Sequence, residues 1–425
     1  MKTERMDIKN KKYVVFGIDL TDDAAQISYC FGPESEVITE QSGDEEENFS
    51  VPVVAFRKKN TDRFVFGYKA LEEAERNAAE PFDNLLGAAL SGNKLFDEVG
   101  EVDPVTLLGM FLSWLLHMPK ETADAEARAL VISVPVVSEL LPNVLMEAVH
   151  RGGIRIPEIR FVSHAESFFY YAMSQPVELW RNGVILFDYD DEHFEYRKII
   201  IDGRTRPALV TTEGKEYPEM IPFHTGQPEQ MDSIFLEAAH EAIGRDRPSV
   251  IYLTGKRFEV RWERDTLRYL CSIGRVFQGQ NLYSKGACHA ARDVISWSRL
   301  SSRYLFLDDD SLKQNVSIRC ISEGRESQLP VIDAGISWYN AESHVEVLLG
   351  TDREVTVVLT GMMDGSERNV VLRLDWMPER PARASRVGMD FRFTEKDRLE
   401  VTITDLGFGD LFRATGLRET ERITL

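Results

Sequence analysis

The first apolar run of the chain is almost uninterrupted, YVVFGIDL at residues 13–20, and is followed by a polar turn at 21–25 and a second apolar run at 26–31. That alternation predicts a β-hairpin, with an acidic loop at 40–48 and a third strand at 51–56 behind it. At Asp103-Pro104 the period changes: Leu107, Leu108, Phe111, Trp114, Leu115 and Met118 fall at helical spacing behind a capping aspartate and a first-turn proline. The run ALVISVPV at 129–136 reads as a buried strand, and a helix leading into such a strand is an α/β signature. The pattern continues with a helix at 140–150 stopped by Gly152-Gly153, a short strand at 159–162, an aromatic helix at 165–172 and a strand from Val184. A helix at 231–243, a strand at 249–253 running into Thr254-Gly255-Lys256, and a helix at 263–273 follow. Gly286, Ala287, Ala290 and Ala291 then permit a close helix approach.

Beyond about residue 300 the helical period disappears. Short alternating segments at 316–321, 345–349, 355–360, 370–374, 388–393 and 399–404 predict a separate β-domain of sandwich type.

Composition narrows the classes of function. With 425 residues, 43% of them hydrophobic, the chain has enough apolar sequence for two or three packed domains. A net charge of −20, from 70 acidic against 50 basic residues, disfavours nucleic acid and anionic membranes and leaves protein or peptide as the expected partner. The four cysteines, at 30, 271, 288 and 320, have neither zinc-site nor disulfide-framework spacing, which fits a reducing cytoplasm. The opening MKTERMDIKNKK lacks the apolar core of a signal peptide, and the longest apolar stretch, 105–118, reads as a buried helix.

Two of the apolar strands end alike. GIDL at 17–20 closes on Asp19 before a turn, and FDYDDEHFEY at 187–196 places Asp188 at the same point of a second strand. Between and after them lie VISVPV at 131–136, FVSHAESFFYYA at 161–172, YLTGKR at 252–257 and GQNLYSKGACHAA at 279–291. In this order the segments resemble the seventy-kilodalton heat-shock chaperones of the actin, sugar-kinase and chaperone ATPase superfamily. The resemblance aligns them in turn with the first phosphate hairpin, the second phosphate hairpin, the strand before the interdomain region, the first connecting helix, the adenosine loop and the second connecting helix. FLDDDSLKQNVSI, from 306, resembles the linker entering that family's β-sandwich, and RPARASRVGMDFRFTEKDRLEVTITD, from 380, resembles its last strands.

The resemblance implies a two-lobed actin-like ATPase fold at 1–302, a linker at 303–312 and a β-sandwich at 313–425 like a chaperone substrate-binding domain. The upper lobe on the second side would be reduced, because 196–250 is short for it, and the helical lid is absent. If nucleotide binds, the resemblance puts Asp19, Thr21, Asp188, Gly255 and Lys256 around ATP or ADP, with Asp19, Asp188 and Asp190 as metal ligands for magnesium.

The turns themselves argue against that chemistry. Phosphate cradles need backbone N–H groups turned inward, hydroxyls and a few metal-binding carboxylates. Here Thr21, Asp22 and Asp23 take the family's Gly-Thr-Thr positions, and Asp190, Asp191, Glu192 and His193 replace the glycines and threonine of the second turn. The positions of the family's catalytic lysine and water-orienting glutamate fall near Leu85 and His164, Thr254 replaces a glycine of the adenosine loop, and Phe258 stands near the base-stacking arginine. Seven carboxylates (Asp19, Asp22, Asp23, Asp188, Asp190, Asp191, Glu192) around one phosphate space would repel it, each close pair costing about 4 kcal/mol.

The expectation is therefore a chaperone-like pseudo-ATPase that has lost ATP hydrolysis, has no cofactor, and acts as a protein-binding or scaffold protein. Asp19 and Asp188 are its vestigial catalytic candidates. One alternative is a divergent metal-dependent ATPase with peptide on the sandwich; another is a divalent-cation sensor closing its acidic turns over the ion. His164 and His193 offer proton transfer or a transition-metal site if they converge. Phe168, Phe169, Tyr170 and Tyr171 read as lobe packing or ligand stacking, Cys288 as a buried apolar residue, and Trp338, Tyr339 and Phe408 as sandwich-loop anchors or core.

Overall fold

A computed structural model describes residues 13–43, 48–58, 63–191, 193–220, 228–296, 298–322, 324–350 and 353–425. It is mixed α/β, with eight α-helices among the described residues, and the chain divides into two compact units between Tyr304 and Leu305. No described helix is long and apolar enough to cross a membrane.

The first unit contains two sheets built to the same plan. In one, Tyr13–Leu20 pairs antiparallel with Ala24–Cys30 and parallel with Glu126–Val134, which in turn pairs parallel with Glu158–Ser163. In the other, Val184–Tyr189 pairs antiparallel with Phe194–Asp202 and parallel with Val250–Thr254, which pairs parallel with Arg275–Gln278. The central strands read as continuous apolar runs because both faces are covered; all six residues of Val184–Tyr189 are buried.

A helix leaves the outer parallel strand of each sheet: His164–Ser174 from one, Leu282–Val294 from the other. These helices cross at backbone distance, since a Cβ on Gly286 would stand 2.1 Å from the Ser167 carbonyl oxygen. Gly17 is held the same way, its missing Cβ 2.1 Å from the Cys288 amide nitrogen. Buried hydroxyl pairs complete this seam: Ser28 with Ser284 at 2.9 Å, and Ser167 donating to Ser133 at 2.7 Å. Phe168, Phe169 and Tyr170 are buried in it, so the aromatic run is packing.

Several expected elements shift. The first turn is only Thr21 to Asp23, because the Thr21 hydroxyl bonds both the N–H and the carbonyl of Ala24 and draws Ala24 and Ala25 into the ladder. The strand expected at 51–56 is two short ones, Val51–Pro52 and Ala55–Arg57; Pro52 has no N–H to extend the first, and the second pairs with Phe64–Phe66 instead. The return strand of the second hairpin extends to Asp202 and is followed by an unanticipated strand, Ala208–Glu216. Helices Tyr68–Asn77 and Leu85–Ser91 were also unanticipated. The helix at Pro104–Leu116 is capped as expected, the Asp103 carboxylate accepting from Thr106 N–H at 2.8 Å.

The second unit is a sandwich of two antiparallel four-stranded sheets. One runs Arg325–Ile332, Gln314–Ser322, Glu354–Gly361, Glu367–Arg373; the other runs Glu342–Leu348, Arg386–Glu395, Arg398–Gly407, Arg418–Thr424. Their inner faces meet through Val316, Val357, Met389, Phe391, Val401 and Ile403. The stretch expected as a linker at 303–312 is partly absorbed here: Leu312 lies in this core and donates its N–H to Ile336. Trp338 packs against the same core, whereas Phe408 is 47% exposed.

Candidate functional site

Register places the two aspartates alike. Asp19 lies opposite Ser133 and Gln26, and Asp188 opposite Thr254 and Glu195, each at the end of a hairpin strand beside its parallel neighbour. The crossing helices bring the residues of their first turns between them. His164, the first residue of its helix behind the Ser163 cap, contacts Asp19 Oδ1 through Nε2 at 2.7 Å. Its ring stacks on Tyr283, centroids 3.8 Å apart and planes 9° apart. The Tyr283 hydroxyl donates to Asp188 Oδ2 at 2.5 Å. A continuous run of side chains, Asp19, His164, Tyr283 and Asp188, thus joins the two hairpins.

Asp188 is 3% exposed. Burial pushes its carboxyl up, but contact with His193, then Tyr283 and the charge of His164, outweigh burial and hold it below the usual carboxylate range. His193 Nε2 stands 3.6 Å from Asp188 Oδ2 and 4.0 Å from Asp190 Oδ2. The Asp188 contact, opposed by burial and aided by the charges of Asp188, Asp190 and Glu195, raises His193 to about 9, so it is a cation at neutral pH. Asp190 is raised by burial and by the Asp188 charge; its Oδ1 accepts the Lys256 N–H at 2.7 Å.

The expected acidic wall is therefore largely compensated. Asp19 is paired with His164, Asp188 with Tyr283 and His193, and Asp191 with Lys256 and Arg257. Asp22 and Asp23 are exposed turn residues, and Glu192 lies outside the described residues. Asp19, Asp188 and Asp191 are therefore not bare carboxylates repelling one another.

Residues 36–309 match the C-terminal model of a family of unknown function, DUF5716. The chain belongs to that family. Residues 311–425 match a domain of unknown function, DUF8552, and no curated protein matches the chain.

In this DUF5716 protein the remaining expected residues take structural places. Thr21 closes its own turn through Ala24, and Leu85 is wholly buried. Gly255 has φ +101°, and a Cβ there would meet the Tyr189 carbonyl oxygen at 2.4 Å and Asp188 Oδ1 at 2.7 Å, so it seats Val184–Tyr189 against the following loop. Lys256 gives its amide to Asp190 and its ammonium to Asp191 at 3.1 Å. Phe258 is buried and stacked with Trp262, centroids 5.8 Å apart. The expected metal set of Asp19, Asp188 and Asp190 does not assemble as a group: the cluster with metal-ligand spacing among the described residues is Asp188, Asp190 and His193, whose ligand atoms lie within 4.8 Å of one another.

Tyr283 is the site residue that sequence reading passed over. Its signal was present, since it precedes by three residues the Gly286 that permits the close helix crossing.

Proposed function

We propose that this protein is an actin-like pseudo-ATPase: a scaffold that keeps the two-lobed architecture, does not turn over ATP, and works by binding another protein through its sandwich. Two sheets of one plan, each with a hairpin strand ending on an aspartate, support the actin-like reading. The observation that carries the functional reading is the side-chain run Asp19, His164, Tyr283, Asp188. It occupies the interval between the hairpins where a nucleotide's phosphates would need inward-turned amides and a bound cation.

The sandwich supplies surface suited to a partner. Its Phe408, Leu411 and Leu417 are 47%, 90% and 51% exposed on one loop. That loop is not a loose tether. Its base is the buried Asp405 carboxylate, which accepts from Arg380 Nη1 and Nη2 at 2.7 and 2.8 Å, from Gly407 N–H at 3.0 Å and from the Thr415 hydroxyl at 2.6 Å. Rigid presentation of apolar side chains lowers the ordering cost of association.

Thermal unfolding of the full chain in millimolar ATP and magnesium tests the first half. The expected shift is nil; a stabilisation near the 2.7 kcal/mol that ligand at about a hundred times its Kd confers would show that the side-chain run admits nucleotide, and phosphate release above background would overturn the loss of turnover. For the second half, a partner recovered on the full chain is expected to be lost with Leu411→Asp. Its retention on that variant moves the binding surface elsewhere.

A further inference from the structure

The Asp188, Asp190 and His193 cluster uses only part of its donor capacity within the protein. Asp188 Oδ2 accepts from Tyr283, and Asp190 Oδ1 accepts from the Lys256 amide. Asp188 Oδ1 is buried with no hydrogen-bond partner, in a residue 3% exposed. It lies beside Gly255, on the same loop whose next amide holds Asp190. The unpartnered oxygen leaves the buried Asp188 charge under-compensated, and a cation bound at Oδ2 would offset that charge.

We propose that Asp188, Asp190 and His193 form a site for a borderline divalent transition-metal ion, of which Zn²⁺ is the best fit. Donor chemistry selects the class: one imidazole with two carboxylates suits zinc or its neighbours, whereas calcium and magnesium take oxygen ligands throughout. Tetrahedral bonds of about 2.0–2.2 Å set two donors about 3.3–3.6 Å apart on one ion. The three ligand atoms here lie within 4.8 Å of one another, so a small shift of the two partly exposed side chains closes the set. His193 Nε2 is 3.6 Å from Asp188 Oδ2 and 4.0 Å from Asp190 Oδ2.

The outer partners are of the kind that orient ligands: a phenol on one carboxylate and a backbone amide on the other. Access is open on one side, the side chains of His193 and Asp190 being 41% and 43% exposed while Asp188 forms the floor at 4%. The site holds whether or not the cleft reading above is right, because it needs neither nucleotide nor a sandwich partner.

Calorimetry on the full chain, stripped with chelator and titrated separately with Zn²⁺, Mg²⁺ and Ca²⁺, tests the proposal, with Co²⁺ absorption in the visible as a spectroscopic check. The expected result is one equivalent of Zn²⁺ and of Co²⁺, weakened at least tenfold by His193→Ala and by Asp190→Asn, both at partly exposed positions. Cys271→Ser, which removes an exposed thiol elsewhere, is expected to leave binding unchanged. Thermal unfolding of each variant establishes that it is folded. Absence of Zn²⁺ binding, binding unaffected by both variants, or a response to Mg²⁺ or Ca²⁺ alone would overturn the assignment.

Discussion

Replacing Tyr283 with Phe removes one oxygen from the centre of the bridge and leaves its ring in place. The lost bond is the 2.5 Å donation to Asp188 Oδ2. A hydrogen bond to a charged group contributes about 1.5–3 kcal/mol, more when its loss leaves the charge buried. Asp188 keeps only the His193 contact at 3.6 Å, because its other oxygen already has no partner. Since the Phe ring preserves the stacking surface against His164, no cavity term adds to this. We expect about 2 kcal/mol of destabilisation confined to the first unit, equivalent to about a thirtyfold rise in the local opening constant. Hydrogen exchange followed by mass spectrometry reads this directly: peptides covering residues 184–189 and 282–294 should lose protection by that factor. Peptides from 386–407 in the sandwich serve as the internal reference. A change below twofold in the first unit, or an equal change in both units, refutes the idea that this hydroxyl holds the two hairpins together.

Two further outcomes follow from the packing and charge of the two units. Gly286→Val must push the helices His164–Ser174 and Leu282–Val294 apart, because its Cβ would lie 2.1 Å from a backbone oxygen; we expect a loss of at least the 1–3 kcal/mol of about one overpacked site, measured by denaturant unfolding of the first unit. In the sandwich, burial pushes the Asp405 carboxyl up, but Arg380, Thr415 and Gly407 outweigh it and hold it far below the usual range. Its folded value lies below its unfolded value of about 3.9, so its contribution is full above that pH and is lost as the pH falls through it toward the folded value. Arg380→Met should cost about 3–5 kcal/mol at neutral pH by stranding the carboxylate, and the gap to wild type should narrow on acidification. A gap that stays constant between pH 7 and pH 3 in thermal unfolding would contradict the assignment.

Much of the architecture was written locally. The capped helix at Pro104–Leu116, the buried parallel strands and the two hairpins ending on Asp19 and Asp188 each follow from a period or a cap within a dozen residues. Two edge strands of the sandwich escaped that reading. Arg418–Thr424, RETERIT, buries only Ile423 fully, so its side chains carry no alternation; the ladder to Arg398–Gly407 makes it a strand. Arg325–Ile332 is similar, with full burial only at Ile332. Backbone hydrogen bonds, which are blind to side-chain pattern, decide such segments.

The site divides along the same line. Sequence determined which carboxylates stand at the hairpin ends, and that the turns after them, Thr21 to Asp23 and Asp190 to His193, carry acids and no glycine. It did not determine their charge balance. His164 is 145 residues from Asp19, and Tyr283 is 95 residues from Asp188. They meet because Gly286 lets two helices cross at backbone contact, a distance set by the absence of one carbon atom. Electrostatic energy depends on separations of a few ångströms, and only the tertiary packing fixes those. A row of acids that read as mutual repulsion is, in the folded chain, one in which Asp19, Asp188, Asp190 and Asp191 each meet a donor or a cation.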